Sequence, residues 1–352
     1  MARNLPVDSV KEALGRVNYP GFARDIVTLG ILEEVAELPD SAGFAITLRQ
    51  PTESEEIIRN LASSIHQVLS HELGIQKVEL RIRRIEPELG EQTGRARIEG
   101  TRYIVAVASG KGGVGKSTVA ANLACTLASL GLSVGLLDAD IYGPSAPMMF
   151  GVGDQRPKSA DGKSVHPIEK FGVKLISMGF FLGENAPVIW RGPMVMGAVR
   201  QFLKDTIWGA QDFLIVDLPP GTGDAQLTLA QQVALDGAVI VTTPQDVALL
   251  DAIRAVKMFR QVHCPILGIV ENMSYFICPD CGERDEIFGH GGAQRLASDE
   301  SVDVLARVPI YPEICESGDR GTPITVADPK HPASGALFEL ARRVVAAMPA
   351  DA

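Results

Sequence analysis

A glycine-rich segment at residues 110–117 constrains this chain more than any other part of its sequence. It reads GKGGVGKS and matches the pattern G-x-x-x-x-G-K-[ST] at every fixed position. A run of apolar residues at 103–108 precedes it, and a helical pattern at 116–130 follows it. Glycines allow successive backbone N–H groups to point at phosphate oxygens, and the start of the helix adds partial positive charge. The segment therefore predicts a phosphate-binding loop between a strand and a helix.

The side chains of this loop predict a site for ATP and magnesium. Lys116 would bridge the β- and γ-phosphates, and the Ser117 hydroxyl would bind Mg²⁺. Lys111 directly follows the first glycine, and a lysine there is typical of the deviant-Walker ATPases. In that class it reaches across a dimer interface and neutralises charge on the partner's nucleotide; a solvated loop lysine is the alternative. The residues predicted to bind nucleotide in this loop are Gly110, Lys111, Gly112, Gly113, Val114, Gly115, Lys116, Ser117 and Thr118.

Two aspartates follow the apolar run at residues 133–137. Ligands of open α/β sheets bind beyond the carboxyl ends of the strands, which is where Asp138 and Asp140 are expected. We expect Asp140 to orient a water molecule against the γ-phosphate, and Asp138 to assist at the Mg²⁺ ion. Helix capping or turn formation is the alternative interpretation.

A further apolar run, at residues 213–217, ends in Asp217 in the Walker-B arrangement. Its carboxylate is predicted to hold Mg²⁺, usually through water. Residues 218–224 read LPPGTGD, where prolines fix the entry and glycines free the backbone, so we interpret them as a nucleotide-sensing switch loop. A rigid turn is the alternative. Asn272, after the run at 266–270, is predicted either to hydrogen-bond the adenine edge or to form a turn.

Two thiols share one tight turn with the sequence Cys278-Pro-Asp-Cys281-Gly, a spacing that suits one metal ion or cluster. A structural zinc needs four ligands, but a second C-x-x-C pair is absent. A redox dithiol usually opens a helix, whereas the residues here indicate a loop. A two-fold dimer would bring together four thiolates, enough for a [4Fe–4S] cluster. Elsewhere Cys125 and Cys264 are expected to be structural, and Cys315 to lie in a loop.

Domain organisation follows from changes in periodicity. Residues 1–85 predict a small α+β domain with helices at 7–17 and 55–73 and strands at 26–35, 43–48 and 77–83. Residues 86–101 are polar and aperiodic and predict a linker. Residues 102–352 alternate wholly apolar runs with helices, which predicts a doubly wound α/β P-loop NTPase domain with a mostly parallel sheet. Its predicted strands are 103–108, 133–137, 213–218, 238–242, 266–270 and 302–308, and residues 151–170 are expected to be a mobile surface excursion.

Charge and composition limit the partners of this chain. Asp and Glu number 43 against 33 Lys and Arg, which gives a net charge of −10. That excess disfavours unspecific binding to nucleic acid and docking on an anionic membrane. No apolar run approaches the roughly 18–20 residues of a membrane span, and the N-terminus lacks the apolar centre of a signal peptide. Five cysteines do not suggest a disulfide framework, so we expect a cytoplasmic protein.

The motifs occur together in an order that resembles one family. Over about residues 100–345 the chain resembles the Mrp/ApbC-type iron–sulfur cluster carrier ATPases, within the larger group that includes MinD and ParA. Residues 1–85 resemble, more loosely, the small iron–sulfur-assembly-associated domain often fused ahead of them, but residues 50–54 replace its Cys–Pro motif with QPTES. The motifs are GKGGVGKST (110–118), DADIYGPS (138–145), DLPPGTGD (217–224), TTPQ (242–245), ENMS (271–274) and the pair Cys278 and Cys281.

The resemblance implies a homodimer that holds a [4Fe–4S] cluster between two subunits on Cys278 and Cys281. It would take clusters from iron–sulfur assembly scaffold proteins and transfer them to apoproteins, with ATP binding and slow hydrolysis gating the transfer. For the N-terminal domain a docking or regulatory role is expected.

Two rivals belong to other classes. A MinD/ParA-like positioning or partitioning ATPase would act by ATP-dependent dimerisation on membrane or DNA. Membrane-binding relatives need a basic amphipathic C-terminal helix. Residues 337–348 are amphipathic but carry one basic pair, Arg342 and Arg343, so we expect that helix to pack on the domain. That rival also leaves the cysteine pair without a purpose. A regulator with negligible hydrolysis is the other possibility.

Overall fold

The computed structural model of the chain contains two compact units, Met1–Gly94 and Arg95–Ala352. Their division falls in the predicted linker, most of which lies outside the described residues, so the domain bounds at 85 and 101 stay a prediction. The structure describes residues 6–17, 25–27, 31–38, 43–49, 55–83, 95, 97–141, 143–159, 164–181 and 192–349.

In its described residues, the smaller unit combines a three-stranded sheet with two helices. Its elements are α1 (Val7–Leu14), β1 (Leu32–Glu37), β2 (Gly43–Arg49), α2 (Glu55–Leu73) and β3 (Lys77–Arg83). Strand β1 pairs antiparallel with β2, and β2 pairs parallel with β3, as the intervening helix α2 allows. Apolar residues recur every four positions along α2, at Leu61, Ile65 and Leu69, and all three are fully buried.

Helix α2 and strand β3 have the predicted bounds, whereas the strand predicted at 26–35 begins later, at Leu32. The carbonyl of Ile26 accepts hydrogen bonds from the N–H groups of Ile31 (3.0 Å) and Leu32 (3.1 Å), which closes a turn ahead of the strand. Ile26 is fully buried in this turn. The apolar side chain of Ile26 therefore packs in the core without belonging to a strand. Residues 28–30 of the predicted strand lie outside the described residues.

The larger unit is an α/β domain. Its elements are β4 (Thr101–Ala108), α3 (Lys116–Ser129), β5 (Val134–Asp138), α4 (Ala146–Met149), β6 (Ile168–Lys170), β7 (Val173–Ser177), α5 (Gly192–Asp205), β8 (Gln211–Asp217), α6 (Asp224–Gln232), β9 (Gly237–Thr242), α7 (Asp246–Gln261), β10 (Ile266–Glu271), β11 (Phe276–Ile277), β12 (Arg284–Asp285), α8 (Gly292–Asp299), β13 (Val304–Arg307), α9 (Pro312–Asp319), α10 (Ile324–Ala327) and α11 (Pro332–Ala347).

Eight strands form one sheet in the order β13-β10-β9-β4-β8-β5-β7-β6, and every pair is parallel except β6 with β7. Helices cover both faces, so the central strands are apolar throughout. In β4, Ile104 and Ala106 face one core and Val105 and Val107 face the other. This arrangement confirms the predicted doubly wound fold.

Residues 151–170 differ from the expected surface excursion. The last three form strand β6 at the sheet edge, and residues Lys158 and His166 pair in an antiparallel bridge. The sequence pattern did not predict strand β7, because Lys174 interrupts its short run of apolar residues. The C-terminal helix α11 buries Leu337, Leu340 and Val344 against the core that contains α3, so it packs on the domain as expected. Within the described residues, no helix combines the length and apolarity needed to cross a membrane.

Candidate functional site

The phosphate loop, residues 110–117, joins the carboxyl end of β4 to the first turn of α3. Gly113 and Gly115 have left-handed backbones with φ of +82° and +79°, which residues other than glycine rarely adopt. Gly110 packs closely on α7, since an added methyl group would lie 2.1 Å from the carbonyl oxygen of Asp251. Glycine therefore permits both the left-handed turns of this loop and its close approach to helix α7.

Asn272 supports this loop from the end of β10. Its side-chain Nδ2 donates a hydrogen bond of 2.9 Å to the Val114 carbonyl, and the residue is buried. A methyl group on Gly115 would lie 2.2 Å from the same nitrogen, so the contact requires glycine at that position. The structure therefore shows the amide holding the loop, and its predicted contact with adenine stays a prediction.

Lys116 lies at the centre of a buried cluster of charges. Its Nζ is 2.5 Å from Asp217 Oδ1, 3.2 Å from Ser117 Oγ and 3.7 Å from Asp140 Oδ2. Only 5% of the lysine side chain and 2% of the Asp217 side chain are exposed, so water screens this attraction little. Lys116 and Asp217 are more than a hundred residues apart in the sequence. They come together because strands β4, β5 and β8 end at the same edge of the sheet.

Asp138 organises the loop that follows β5. One of its oxygens accepts from the Asp140 N–H (3.1 Å), and the other accepts from the Ala146 N–H (3.1 Å) and the Ser177 hydroxyl (2.8 Å). Asp140 in turn accepts from the Gly143 N–H at 3.3 Å. These bonds give Asp138 the turn-forming role that was the alternative interpretation of its place in the sequence. Its assistance at Mg²⁺ and the water-orienting role of Asp140 stay predictions.

Two of the carboxylates face each other across neighbouring strands, because Asp138 and Asp217 are partners in the register of β5 and β8. Burial, then the charge of Asp217, raises the pKa of Asp138 to about 7, against the opposing hydrogen bond from Ser177. Burial also raises the pKa of Asp217, while Lys116 and the Ser117 hydroxyl act in the opposite direction. Two carboxylates at paired positions of neighbouring strands disfavour each other's ionisation.

The donor set next to Lys116 fits a magnesium ion. Mg²⁺ prefers hard oxygen ligands, and the Ser117 hydroxyl lies within hydrogen-bond distance of the Asp217 carboxylate. The switch loop, residues 218–224, is tied to this region through the backbone, since the N–H of Gly221 donates to the Ser109 carbonyl at 3.0 Å. This hydrogen bond joins the switch loop to the residue that precedes the phosphate loop.

Lys111 differs from Lys116 in its surroundings. It is half-exposed, and among the described residues no acidic side chain pairs with it. Its carbonyl accepts a hydrogen bond of 2.9 Å from the Ser109 hydroxyl, which fixes the backbone and leaves the ammonium group at the surface. A surface ammonium group can reach a molecule bound by another chain. The predicted role of Lys111 at a partner's nucleotide stays a prediction.

The cysteine pair lies in the turn of a short hairpin, residues 276–285, which we call the cysteine hairpin. The Cys278 N–H donates to the Glu283 carbonyl (2.9 Å), and the Gly282 N–H donates to the Cys278 carbonyl (2.9 Å). Gly282 has φ +73°, which closes the turn. The guanidinium of Arg284 stacks on the Tyr275 ring, 3.9 Å from its centroid. A hairpin turn is not the helix start where redox dithiols usually lie.

The turn favours a thiolate at Cys278. Hydrogen bonds from the Cys281 N–H and then the Asp280 N–H, followed by the Cys281 thiol, lower the pKa of Cys278. Thiolate is the form that binds metals. Cys281 is exposed, and within the described residues no group of three or more His, Cys, Asp or Glu side chains could hold a metal ion. The described part of one chain therefore supplies two ligands here.

The other cysteines lie elsewhere. Cys125 on α3 and Cys264 are buried, and burial raises the pKa of both thiols to about 12. Cys315 was predicted in a loop but lies on helix α9, where it is exposed. Helix α9 starts with Pro312 and Glu313, which are typical of a first helical turn. The turn-forming residues around them led to the prediction of a loop instead.

Glu271 is a buried residue to which the sequence analysis gave no role. Its carboxylate accepts from the Ser274 hydroxyl (2.6 Å) and from the N–H of Ala293 (2.8 Å) in the first turn of α8. It therefore fixes the segment that carries Asn272 to the start of α8. An acidic residue at a strand end with serine three places later is a signal that could have indicated this turn.

Comparison with known proteins agrees with this geometry. Residues 100–345 match the family described as ParA: NUBPL iron-transfer P-loop NTPase. The iron-sulfur cluster carrier protein of Synechocystis is 44% identical over 346 residues, which cover 97% of each chain. A nucleotide-binding protein from Archaeoglobus fulgidus, solved in complex with ADP, is 40% identical with a TM-score of 0.60 and covers 69% of this chain and 93% of its own.

The fold is also found in the cell division ATPase MinD of Pyrococcus furiosus, at 23% identity and a TM-score of 0.53, covering 69% of this chain and 98% of that one. That likeness concerns the fold alone. The match over residues 100–345 and the full-length likeness to the Synechocystis protein decide the family. This chain belongs to the NUBPL iron-transfer family of ParA-type P-loop NTPases.

Proposed function

We propose that this chain carries [4Fe–4S] clusters from iron–sulfur assembly scaffold proteins to apoproteins, and that ATP binding and slow hydrolysis gate delivery. The cysteine hairpin carries the proposal: its backbone N–H groups favour a thiolate at Cys278, beside the exposed thiol of Cys281. The iron-sulfur cluster carrier proteins to which the chain is similar support it. Exposed thiols of this kind need a reducing compartment such as the cytoplasm.

The cluster is cargo, and two chains would hold it. A [4Fe–4S] cluster takes four cysteine thiolates, and Cys278 with Cys281 gives two. A two-fold homodimer doubles that number with no further ligand type. The hairpin is at the surface, so a recipient's thiolates can reach the iron atoms and replace these ligands one at a time.

The nucleotide site would bind ATP with the residues described above. Lys116 would exchange part of its attraction to Asp217 for the β- and γ-phosphates, and Ser117 with Asp217 would hold Mg²⁺, which neutralises phosphate charge when bound. Asp140 would orient the water that attacks the γ-phosphorus, so that the bond to ADP breaks and phosphate leaves. Lys111 of one subunit would approach the nucleotide of the other.

A short stretch of chain provides the route for gating. Asn272 contacts the phosphate loop through Val114, and Cys278 lies six residues later in the chain. Between them, the N–H of Ile310 donates to the Tyr275 carbonyl at 2.7 Å and anchors the base of the hairpin. A shift of the loop on nucleotide binding would therefore reach the cysteine turn through few covalent bonds.

The test is anaerobic reconstitution with iron, sulfide and zinc measured per dimer. We expect about four iron and four sulfide per dimer, and ATP-dependent activation of an apoenzyme that needs a [4Fe–4S] cluster. Cys278→Ala with Cys281→Ala should abolish uptake, whereas Cys315→Ala, which removes an exposed thiol elsewhere, should not. Full uptake by the double variant, or zinc alone in the wild type, contradicts the proposal.

The positioning-ATPase alternative has less support. The apolar side of α11 that contains Leu337, Leu340 and Val344 is buried against the domain and is not available to enter a membrane, although Val345 on the same helix is exposed. Cosedimentation with anionic liposomes and with DNA, each with and without ATP, separates the two functions. Nucleotide-dependent pelleting by a protein that takes up no cluster would favour the alternative.

A further inference from the structure

One buried glutamine of the larger unit has an amide group without hydrogen bonds. Gln226 is 1% exposed, and among the described residues neither its side-chain nitrogen nor its side-chain oxygen has a partner. By contrast, the buried amide of Asn272 donates to the Val114 carbonyl. The buried amide of Asn122 accepts from the backbone N–H and the hydroxyl of Thr325. A buried amide that bonds to nothing destabilises the folded state, so folding alone does not explain Gln226.

Gln226 lies in the first turn of helix α6, directly after the switch loop. Leu229 and Ala230, one turn further along on the same face, are buried in the core that also contains Leu218. Gln226 is the first buried residue of α6 in the part of the helix that the structure describes. Side chains of a helix lean toward its N-terminus, so the side chain of Gln226 leans back toward the switch loop.

The switch loop has open space around its glycines. Among the described residues, a methyl group added to Gly221 or Gly223 would meet no atom within 4 Å. Gly221 has a left-handed backbone with φ +95°, and its N–H donates to the Ser109 carbonyl. The loop begins directly after Asp217, the predicted Mg²⁺ ligand, and Gln226 lies just beyond its other end. Nucleotide and metal would therefore act on one end of the loop, and the unpartnered amide is at the other.

From this arrangement we propose that Gln226 is a positioning residue of the nucleotide cycle. Its amide hydrogen-bonds the switch-loop backbone when Mg·ATP is bound and loses that bond when phosphate leaves. An amide both donates and accepts, so it can pair with either an N–H or a carbonyl group that the loop turns toward it.

The amide then favours the ATP-bound loop in two ways. Without a partner it destabilises the nucleotide-free arrangement, and with one it stabilises the ATP-bound arrangement. Gln226 acts through the loop and not on the nucleotide itself. The inference rests on the proposed function, in which ATP binding and hydrolysis gate delivery, and it names a residue that makes the loop sensitive to the γ-phosphate.

The first test is Gln226→Met in the full chain. Methionine is similar in length and in helix propensity but has no amide, so the helix should stay intact. Without nucleotide the variant should melt higher than wild type by roughly 2–4 °C, because no buried amide is left without a partner. Its affinity for a slowly hydrolysed ATP analogue with Mg²⁺ should fall about tenfold relative to its affinity for ADP, as expected for one lost hydrogen bond.

Gln231→Met is the matched control. Gln231 lies on the same helix but is exposed, so water already bonds its amide. Its melting temperature should change by less than about 2 °C, and its preference between the two nucleotides should equal that of wild type.

A spectroscopic measurement reports the proposed bond itself. In protein labelled with ¹⁵N at glutamine side chains, the Gln226 amide signals are those that Gln226→Met removes. Their proton resonances should move downfield when the ATP analogue and Mg²⁺ are added, and they should stay in place with ADP. The Gln231 signals, assigned in the same way, should not respond to either nucleotide.

The proposal is overturned if Gln226→Met melts lower than wild type, which would mean that the amide has a constant partner such as an enclosed water. It is also overturned if the variant loses affinity for both nucleotides by the same factor, or if the amide signals respond alike to both. Failure of the proposed function looks different. Reconstituted wild type would then hold no [4Fe–4S] cluster, while the nucleotide-dependent shift of the Gln226 signals would remain.

Discussion

The nucleotide edge of the sheet and the cysteine hairpin are built in opposite ways. At the nucleotide edge, Lys116, Asp138 and Asp217 are buried and hydrogen-bonded, and strands of one chain supply all of them. In the hairpin, Cys278 is half-buried and Cys281 is exposed, and we propose that the pair forms half of a ligand set. A site that performs chemistry on a bound nucleotide gains from burial, because charges interact more strongly away from water. A site that must release its cargo gains from exposure.

The two regions should therefore respond differently to mutation. Buried charges depend on their partners, so a substitution at the nucleotide edge should cost stability as well as activity. The thiols of the hairpin contribute little to the core, so substitution there should cost function alone. The following predictions test that contrast, from the largest expected effect to the smallest.

Lys116→Ala should have the largest effect. It removes the cation that faces Asp217 and Asp140 and leaves buried carboxylates uncompensated, which should lower the free energy of unfolding by about 3–5 kcal/mol. Nucleotide affinity should fall on the order of a hundredfold. Urea unfolding and titration with a fluorescent nucleotide measure the two effects.

Lys111→Ala is the matched control for that experiment. It lies in the same loop but is half-exposed, and no ion pair joins it to the acidic residues of the described chain. Its unfolding free energy should change by less than about 0.5 kcal/mol, while hydrolysis by the dimer should fall. Equal loss of stability in both variants would contradict the contrast between a buried and a surface lysine.

Asp138→Asn should change how stability depends on pH. The pKa of Asp138 is about 7 in the folded protein and near its ordinary value of 3.8 when unfolded. Between these values the folded state binds the extra proton, so ionisation destabilises the wild type by about 1 kcal/mol per pH unit as pH rises. Above pH 7 the effect is constant.

The asparagine variant lacks this titration. The difference in unfolding free energy, variant minus wild type, should therefore rise from pH 4 to about pH 7 and then stay level. Substitution of the exposed Asp154 by asparagine gives the baseline for surface charge. A difference that does not vary with pH would mean that Asp138 stays ionised throughout, as a carboxylate facing a cation would.

The sequence was sufficient for the parts of this architecture that depend on local patterns. The phosphate loop needs glycines at fixed places, and the strands 103–108 and 238–242 are apolar throughout because both faces are covered. It could not show that Asn272 holds Val114 or that Ser177 donates to Asp138. Those contacts join distant strands, and neither residue differs in type from an ordinary turn or strand residue.

Asn272→Ala separates support of the loop from recognition of the base. Loss of the hydrogen bond to the Val114 carbonyl should lower the unfolding free energy by about 1–3 kcal/mol, because a buried acceptor loses its donor. If the amide only supports the loop, affinities for ATP and GTP should fall by the same factor. A selective loss of ATP binding would instead favour the predicted adenine contact. Competition titrations with both nucleotides give the ratio directly.

The smallest effect concerns the hairpin itself, in the reactivity of Cys278. Backbone N–H groups lower the pKa of this thiol, so its alkylation by iodoacetamide should reach half-maximal rate at a lower pH in the folded protein than in urea. Site-resolved mass spectrometry separates it from Cys125 and Cys264. Burial raises the pKa of those thiols to about 12, so they should stay unmodified until the protein unfolds.

Cys281→Ala then identifies the cause of the shift. The backbone N–H groups remain in that variant and only the neighbouring thiol is lost, so most of the difference between folded and unfolded protein should persist. Identical alkylation profiles in native buffer and in urea would contradict a preformed thiolate. A shift that persists without Cys281 would mean that the turn prepares its half of the ligand set through the backbone alone. The second half would then come from another molecule, whereas the buried charges of the nucleotide edge, Lys116, Asp138 and Asp217, all belong to one chain.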